Sequence, residues 1–259
     1  MSAKKETIGR TITVAFLVCL VCSVVVSTAA VSLRPTQIQN QLLDKQRNIL
    51  SIAGLLEPGT SVEEQFSKIT PRLVDLRTGE FTDAEDPLTY DAQVASGDPA
   101  RSMSLDAGED TASIRRRSHY ATVYMVEGED GQVDTLILPI YGAGLWSTLY
   151  GFVALEGDLN TVVGLGFYQH AETPGLGGEV DNPNWKQQWE GKKIYNPEDD
   201  VATRVVKGGV DSGSPRAEYS VDALAGATLT SRGVENLVRF WMGENGFRPF
   251  LNNLSAGEA

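Results

Sequence analysis

Apolar and polar positions follow three different patterns along this chain. The first is unbroken: Thr11 to Leu33 is 23 residues without a charge. As a helix rising ~1.5 Å per residue, the run would extend roughly 34 Å, enough to cross a hydrocarbon core of about 30 Å. The second pattern is helical. Ile38, Leu42, Ile49, Ile52 and Leu56 recur near helical spacing and predict a helix over 37–56, ended by Pro58-Gly59. Ser61-Val62-Glu63-Glu64 then reads as a capping box, with Val62, Phe66 and Ile69 as an apolar stripe and Pro71 as the stop. Near the C-terminus, Val234, Leu237, Val238 and Trp241 mark another helix, expected to begin near Ser231. The third pattern alternates. Tyr120–Val126, Val133–Ile140, Thr148–Leu155 and Thr161–Tyr168 read as strands, the first two joined as a hairpin through Gly128-Glu129-Asp130-Gly131. Residues 83–117 are acidic, rich in small residues and without a period, so they read as a long surface insertion. The expected architecture is α+β. A single N-terminal transmembrane helix precedes a domain of mostly antiparallel twisted sheet flanked by helices.

Charge orients the first segment. Lys4, Lys5 and Arg10 precede the apolar run, while Arg34 alone follows closely. The positive-inside rule therefore sets residues 1–10 in the cytoplasm, 11–33 across the inner membrane and the rest in the periplasm, given a bacterial source. Thr28-Ala29-Ala30 could serve as a cleavage site, but the run exceeds the about 7–15 apolar residues of a cleaved signal peptide. The run therefore reads as an uncleaved anchor.

The net charge of −12 makes nucleic acid a poor partner. The one dense basic run, Arg115-Arg116-Arg117, reads as a solvated turn. Both cysteines, Cys19 and Cys22, fall inside the apolar run and read as membrane-helix filler, not a redox or metal pair. Neither His119 nor His170 has neighbours in sequence that suggest a metal site.

Chemistry is suggested at four places. DALAGATLTSRGVENLVRFW, from Asp222 to Trp241, gathers Thr228, Thr230 and Ser231 where a helix begins, although one capping oxygen would suffice. A helix start favours phosphate through its free N–H groups and partial positive charge. Gly226 and Ala227 allow close approach to the backbone, and Thr228 or Thr230 could bond a phosphate or be esterified by one. The bland alternative is an ordinary N-cap. HAETPGLGGEVDNPNW, from His170 to Trp185, is a backbone-exposing loop in which Glu172 and Thr173 could bond a polar ring edge and Leu176 could lie on an aromatic face. Trp146, in GAGLWSTLYGF, could stack on a ring or belong to the core. Lys207, in VVKGG, could neutralise a phosphate or simply be solvated.

Taken in order behind one anchor, these stretches resemble the C subunit of the sodium-translocating NADH:quinone oxidoreductase. The G subunit of the Rnf electron-transport complex shares the ETPGLG and GATLTS type of segment. EVDNPNW and VVKGG favour the quinone reductase. The resemblance implies a membrane-proximal part over 34–141 and an FMN-binding domain over 142–259. It implies FMN held by a phosphoester to Thr228 and installed by a flavin transferase that reads Asp222. Thr230 and Ser231 would help to hold the phosphate. Gly226, Ala227 and Leu229 complete the attachment segment. Glu172, Thr173 and Leu176 would meet the flavin ring, with Trp146 near its other face and Lys207 near the phosphate. The implied activity is electron carriage within a sodium-exporting complex, from a membrane iron–sulfur centre to a flavin on another subunit and on towards quinone. The alternatives are the equivalent Rnf protein and a flavin-free anchored binding domain. One departure stands out: Ala225 occupies a position where the family usually has Ser or Thr.

Overall fold

A computed structural model describes residues 7–128 and 131–259. The expected turn residues Glu129 and Asp130, and Lys4 and Lys5 of the basic N-terminus, lie outside the described residues. The chain divides into two compact units, Met1–Lys45 and Gln46–Ala259. Helix α1 runs from Ile8 to Ile52 with Pro35 inside it. Among the described residues it is the one helix long and apolar enough to cross a membrane. Its apolar residues from Ile8 to Leu33 are exposed, as are both free cysteines. That pattern suits a single-pass anchor. The helix expected over 37–56 is the second half of α1 and ends four residues early.

The second unit is built on a six-stranded sheet in the order β2-β1-β5-β6-β7-β8. Its strands are β1 (Thr70–Asp75), β2 (Glu80–Phe81), β5 (Tyr120–Glu127), β6 (Val133–Ala143), β7 (Thr148–Glu156) and β8 (Val162–Gln169), and every pairing is antiparallel. The strands expected at β5 to β8 are present; successive side chains point to opposite faces, and each face packs on its own core, so the buried runs are nearly continuous. On β6, Leu136, Leu138 and Ile140 enter the larger core, which holds Leu237, Trp241 and Phe250. Ile137 enters the opposite core, with Ile49, Leu50, Ile52 and Phe66. On β7, Val153 and Leu155 take the first face and Phe152 and Ala154 the second. The end of α1 and α2 (Val62–Phe66) thus cover one face. The helices α4 (Pro183–Gln187), α5 (Thr228–Trp241) and α6 (Arg248–Ala256) cover the other.

Helix α2 ends at Phe66, and Pro71 sits inside β1, so the proline is not the stop it was expected to be. Ser61 caps α2 by accepting from the Glu64 amide at 3.2 Å. Removing that hydroxyl leaves an amide without its cap. Ser61→Ala should lower stability by about 1 kcal/mol, read by urea unfolding of the detergent-held chain followed by tryptophan emission.

Residues 83–117 are not a structureless insertion. They form α3 (Ala92–Ser96) and β3 (Ser102–Ser104), and β3 pairs with β4 (Arg116–Ser118). Ala95, Ser102 and Ala112 are buried. Of the three arginines, Arg115 is exposed at a bend, as expected of a solvated turn, whereas Arg116 and Arg117 are not. Arg117 is buried and donates to the Asn245 carbonyl and to Met103 Sδ, and Arg116 donates to Ser102 and Ser104. Short three-residue strands fix this region through distant pairing, which leaves no local period to read. The parallel pair of β9 (Arg204–Val206) and β10 (Ser220–Asp222) is hidden from the sequence for the same reason.

Candidate functional site

Helix α5 begins at Thr228, three residues before the expected start. Its N-cap is Ala227, and no side chain caps it. The first-turn amides therefore keep the donor capacity that a capping oxygen would have taken. Gly226, at φ +73°, turns the chain into the helix in a conformation that suits glycine. Thr228 and Leu229 are exposed, whereas Thr230 and Ser231 are buried. The three hydroxyls thus separate by direction along the first turn.

The buried pair is engaged inside the protein. Ser231 Oγ donates to the Ala227 carbonyl at 2.9 Å and accepts from the Leu224 amide at 3.0 Å, which ties the GAT loop to the helix. Thr230 Oγ1 donates to Glu172 Oε2 at 2.6 Å. Neither hydroxyl is presented to a phosphate, contrary to expectation, because the third and fourth residues of the helix turn towards the sheet.

Glu172 is itself buried. Its Oε1 accepts from three successive amides, Leu145 at 3.0 Å, Trp146 at 2.9 Å and Ser147 at 3.4 Å. Burial pushes this carboxyl up. The hydrogen bonds from Thr230, Trp146, Ser147 and Leu145 outweigh it and hold the group below the usual range. A lowered folded value means that its stabilising effect is complete above the ordinary glutamate value and lost as pH falls through the lower one. The carboxylate expected at a ring edge therefore faces the protein. Two glycines make room for it. A Cβ at Gly144 would lie 2.6 Å from Oε1, and one at Gly177 would lie 2.5 Å from Oε2.

The remaining residues form the outer face. Trp146 is 69% exposed and so is not core; Leu145, Leu176 and Leu229 are also exposed. Leu176 lies over Gly226, its Cδ2 being 3.0 Å from where a Cβ would stand. Thr173 is exposed, and its carbonyl accepts from the Leu176 and Gly178 amides to close the PGLG turn. Asp222 ends β10 and pairs with Val206, its Oδ1 accepting from the Val210 amide at 2.6 Å. This fixes the loop that carries exposed Lys207 beside the start of the GAT segment. Asp222 is also held through its backbone, which donates to Gln188 and accepts from Trp185 Nε1. His170 bridges Asp181 and the Glu172 amide, a structural role. Ser147, Gly144 and Gly177 join the site from outside the sequence-derived set. Ser147 Oγ accepts from the Ala171 amide at 2.7 Å. The density of glycine in GAGLW and PGLGG is the one sequence signal for them.

These segments lie within the part of the chain, residues 144–243, that matches the family model of the FMN-binding domain. Over 261 positions the chain is 60% identical to the C subunit of the Na(+)-translocating NADH-quinone reductase of Pseudomonas aeruginosa, covering 99% of this chain and 100% of that one. The chain belongs to that family. The corresponding protein of Vibrio alginolyticus is 49% identical, covering 100% of this chain and 99% of its own. The crystal structure of Shewanella oneidensis NqrC superposes with a TM-score of 0.78 at 37% identity, over 84% of this chain and 99% of that one. The crystal structure of the corresponding protein from Parabacteroides distasonis gives 0.65 at 29%, over 85% and 96%. Membership makes the chain part of an oxidoreductase complex, with an FMN-binding domain.

The residues present fit FMN. Thr228, the first residue of a helix without a side-chain cap, is exposed, the Lys207 loop is tied to Asp222 at the head of the same segment, and exposed Leu176 lies over Gly226. Those features suit the phosphate and the ring of a flavin nucleotide, respectively.

Proposed function

We propose that this protein holds FMN as a phosphoester on Thr228 and relays electrons within the sodium-translocating complex. They would arrive from an iron–sulfur centre in membrane partner proteins and leave to a flavin on another subunit. The observation that carries the reading is the position of Thr228: first in α5, exposed, with no capping side chain before it. The flavin, when bound, supplies the redox chemistry. The chain's own residues hold it. The first-turn amides of α5 would receive the phosphate, and the Lys207 ammonium would offset its charge. Leu176 and Trp146 supply apolar surface for the ring, with Thr173 beside them.

Asp222 is the residue a flavin transferase would read, at the head of the segment. Ala225 is exposed, and the attachment chemistry needs only the acceptor hydroxyl of Thr228, so attachment is proposed to proceed without a hydroxyl at 225. Residues 1–10 are proposed as cytoplasmic, 11–33 as membrane-spanning and the rest as periplasmic, which puts the flavin outside the cytoplasm. By this reading the FMN-binding part covers 142–259, and 34–141 is membrane-proximal.

The test is to express the whole chain with an active flavin transferase, denature it and measure intact mass and in-gel flavin fluorescence. The expected result is one FMN per chain, surviving denaturation. An unmodified mass, with a control protein flavinylated by the same transferase, would mean that the chain is a flavin-free anchored protein.

A further inference from the structure

Three segments distant in sequence meet at one carboxylate. The loop Leu145–Ser147 follows β6, Glu172 follows β8, and Thr230 lies in the first turn of α5. Oε1 of Glu172 gathers the three consecutive loop amides, and Oε2 takes the Thr230 hydroxyl. The loop amides carry Trp146, whose indole is mostly exposed. The first turn of α5 carries Thr228, two residues from Thr230 and facing outward. The Glu172 side chain is buried and both its oxygens accept from protein donors, so nothing in this arrangement points it at a ligand. Gly144 and Gly177 pack against the two carboxylate oxygens, where a Cβ would stand 2.6 Å from Oε1 and 2.5 Å from Oε2.

We propose that Glu172 is a positioning residue, which locks the Trp146 loop to the first turn of α5 and so fixes the ring platform relative to the attachment oxygen of Thr228. This rests on the reading of Thr228 as the attachment point. Both carboxylate oxygens are taken by protein donors, so the residue acts through the two segments it joins. A glutamine would keep most of this geometry. Its carbonyl oxygen can accept from the loop amides, and its NH2 group can donate to Thr230, whose hydroxyl then acts as acceptor. An alanine keeps none of it and leaves three loop amides without their acceptor.

The test uses the full chain, with two readouts. The first needs no flavin: amide hydrogen exchange in chains that also carry Thr228→Val. Glu172→Ala should lose protection at Leu145, Trp146 and Ser147 while Leu138 and Val153 in the sheet keep theirs. Glu172→Gln should retain protection at all five. The second readout is the flavin in chains loaded by the transferase. Glu172→Ala should lose the visible circular dichroism of the bound ring, and its fluorescence should rise towards that of free FMN as Trp146 moves away. Glu172→Gln should keep both signals near those of the parent, and Thr230→Val should fall between. An unchanged flavin signal in Glu172→Ala overturns the positioning role and leaves the Thr228 reading intact. Equal loss in the Gln and Ala variants also overturns it, because charge and not hydrogen-bonded geometry would then be acting. A parent chain without covalent flavin, beside an active transferase, sinks the Thr228 reading and this proposal together.

Discussion

Thr228→Val will yield a folded chain that carries no flavin after denaturation, whereas Thr230→Val will stay flavinylated. The two threonines are two residues apart, but the helix sends them in opposite directions. Thr228 is exposed and its hydroxyl holds nothing together, so exchanging oxygen for a methyl removes the acceptor atom and little else. Thr230 is fully buried and donates to Glu172, so its replacement leaves a buried carboxylate one donor short. That costs stability, about 1–3 kcal/mol, but leaves the attachment oxygen in place. Intact mass after denaturation separates the cases directly. Covalent flavin on Thr228→Val would refute the assignment, and loss only in Thr230→Val would move the site into the interior.

Gly233→Ala should destabilise the domain, although it improves the helix locally. In an exposed helix interior the change from Gly to Ala gains about 1 kcal/mol. Here α5 lies against the end of β6, and a Cβ at Gly233 would stand 2.3 Å from the Ala143 carbonyl oxygen. That neighbour is backbone, fixed in turn by the Ala143 amide donating to Ala112. The helix must lift, and overpacking of this kind costs about 1–3 kcal/mol, enough to outweigh the propensity gain. Ala143 leads directly into Gly144 and the loop amides that bind Glu172, so the displacement reaches the site. We expect a lower urea midpoint and reduced flavin loading from the same variant. A stabilised protein with normal loading would show that the contact relaxes freely.

Much of the fold follows from local pattern. Strands β5 to β8 each carry apolar residues towards two cores, and apolar, β-branched and aromatic runs bounded by turn residues are a legible strand signal. The unbroken apolar run marks the helix that can span a membrane. Helix α5 is visible from Val234, Leu237, Val238 and Trp241, but that periodicity starts after the helix does. Thr228 to Ser231 have the composition of capping residues, whereas they form the first turn. The 83–117 region carries no such signal because its order comes from pairing between short segments, and Arg117 is held by Asn245, 128 positions away.

The site divides in the same way. Glycine, alanine and threonine at the start of α5, a glycine-rich loop after β8 and Trp146 between small residues are all legible, because composition alone shows where backbone is exposed. Which hydroxyl faces out and which carboxylate faces in is not. Glu172 and Thr230 are 58 positions apart and meet only because β8 and α5 pack on the same sheet. The sequence by itself determined the apolar span, the alternating strands and a hydroxyl-rich helix start, since these depend on neighbouring residues. The tertiary structure alone decided that Thr228 is exposed and that Glu172 is buried against Thr230 and the Leu145–Ser147 amides. A side chain's partner is set by long-range packing, which no local period encodes.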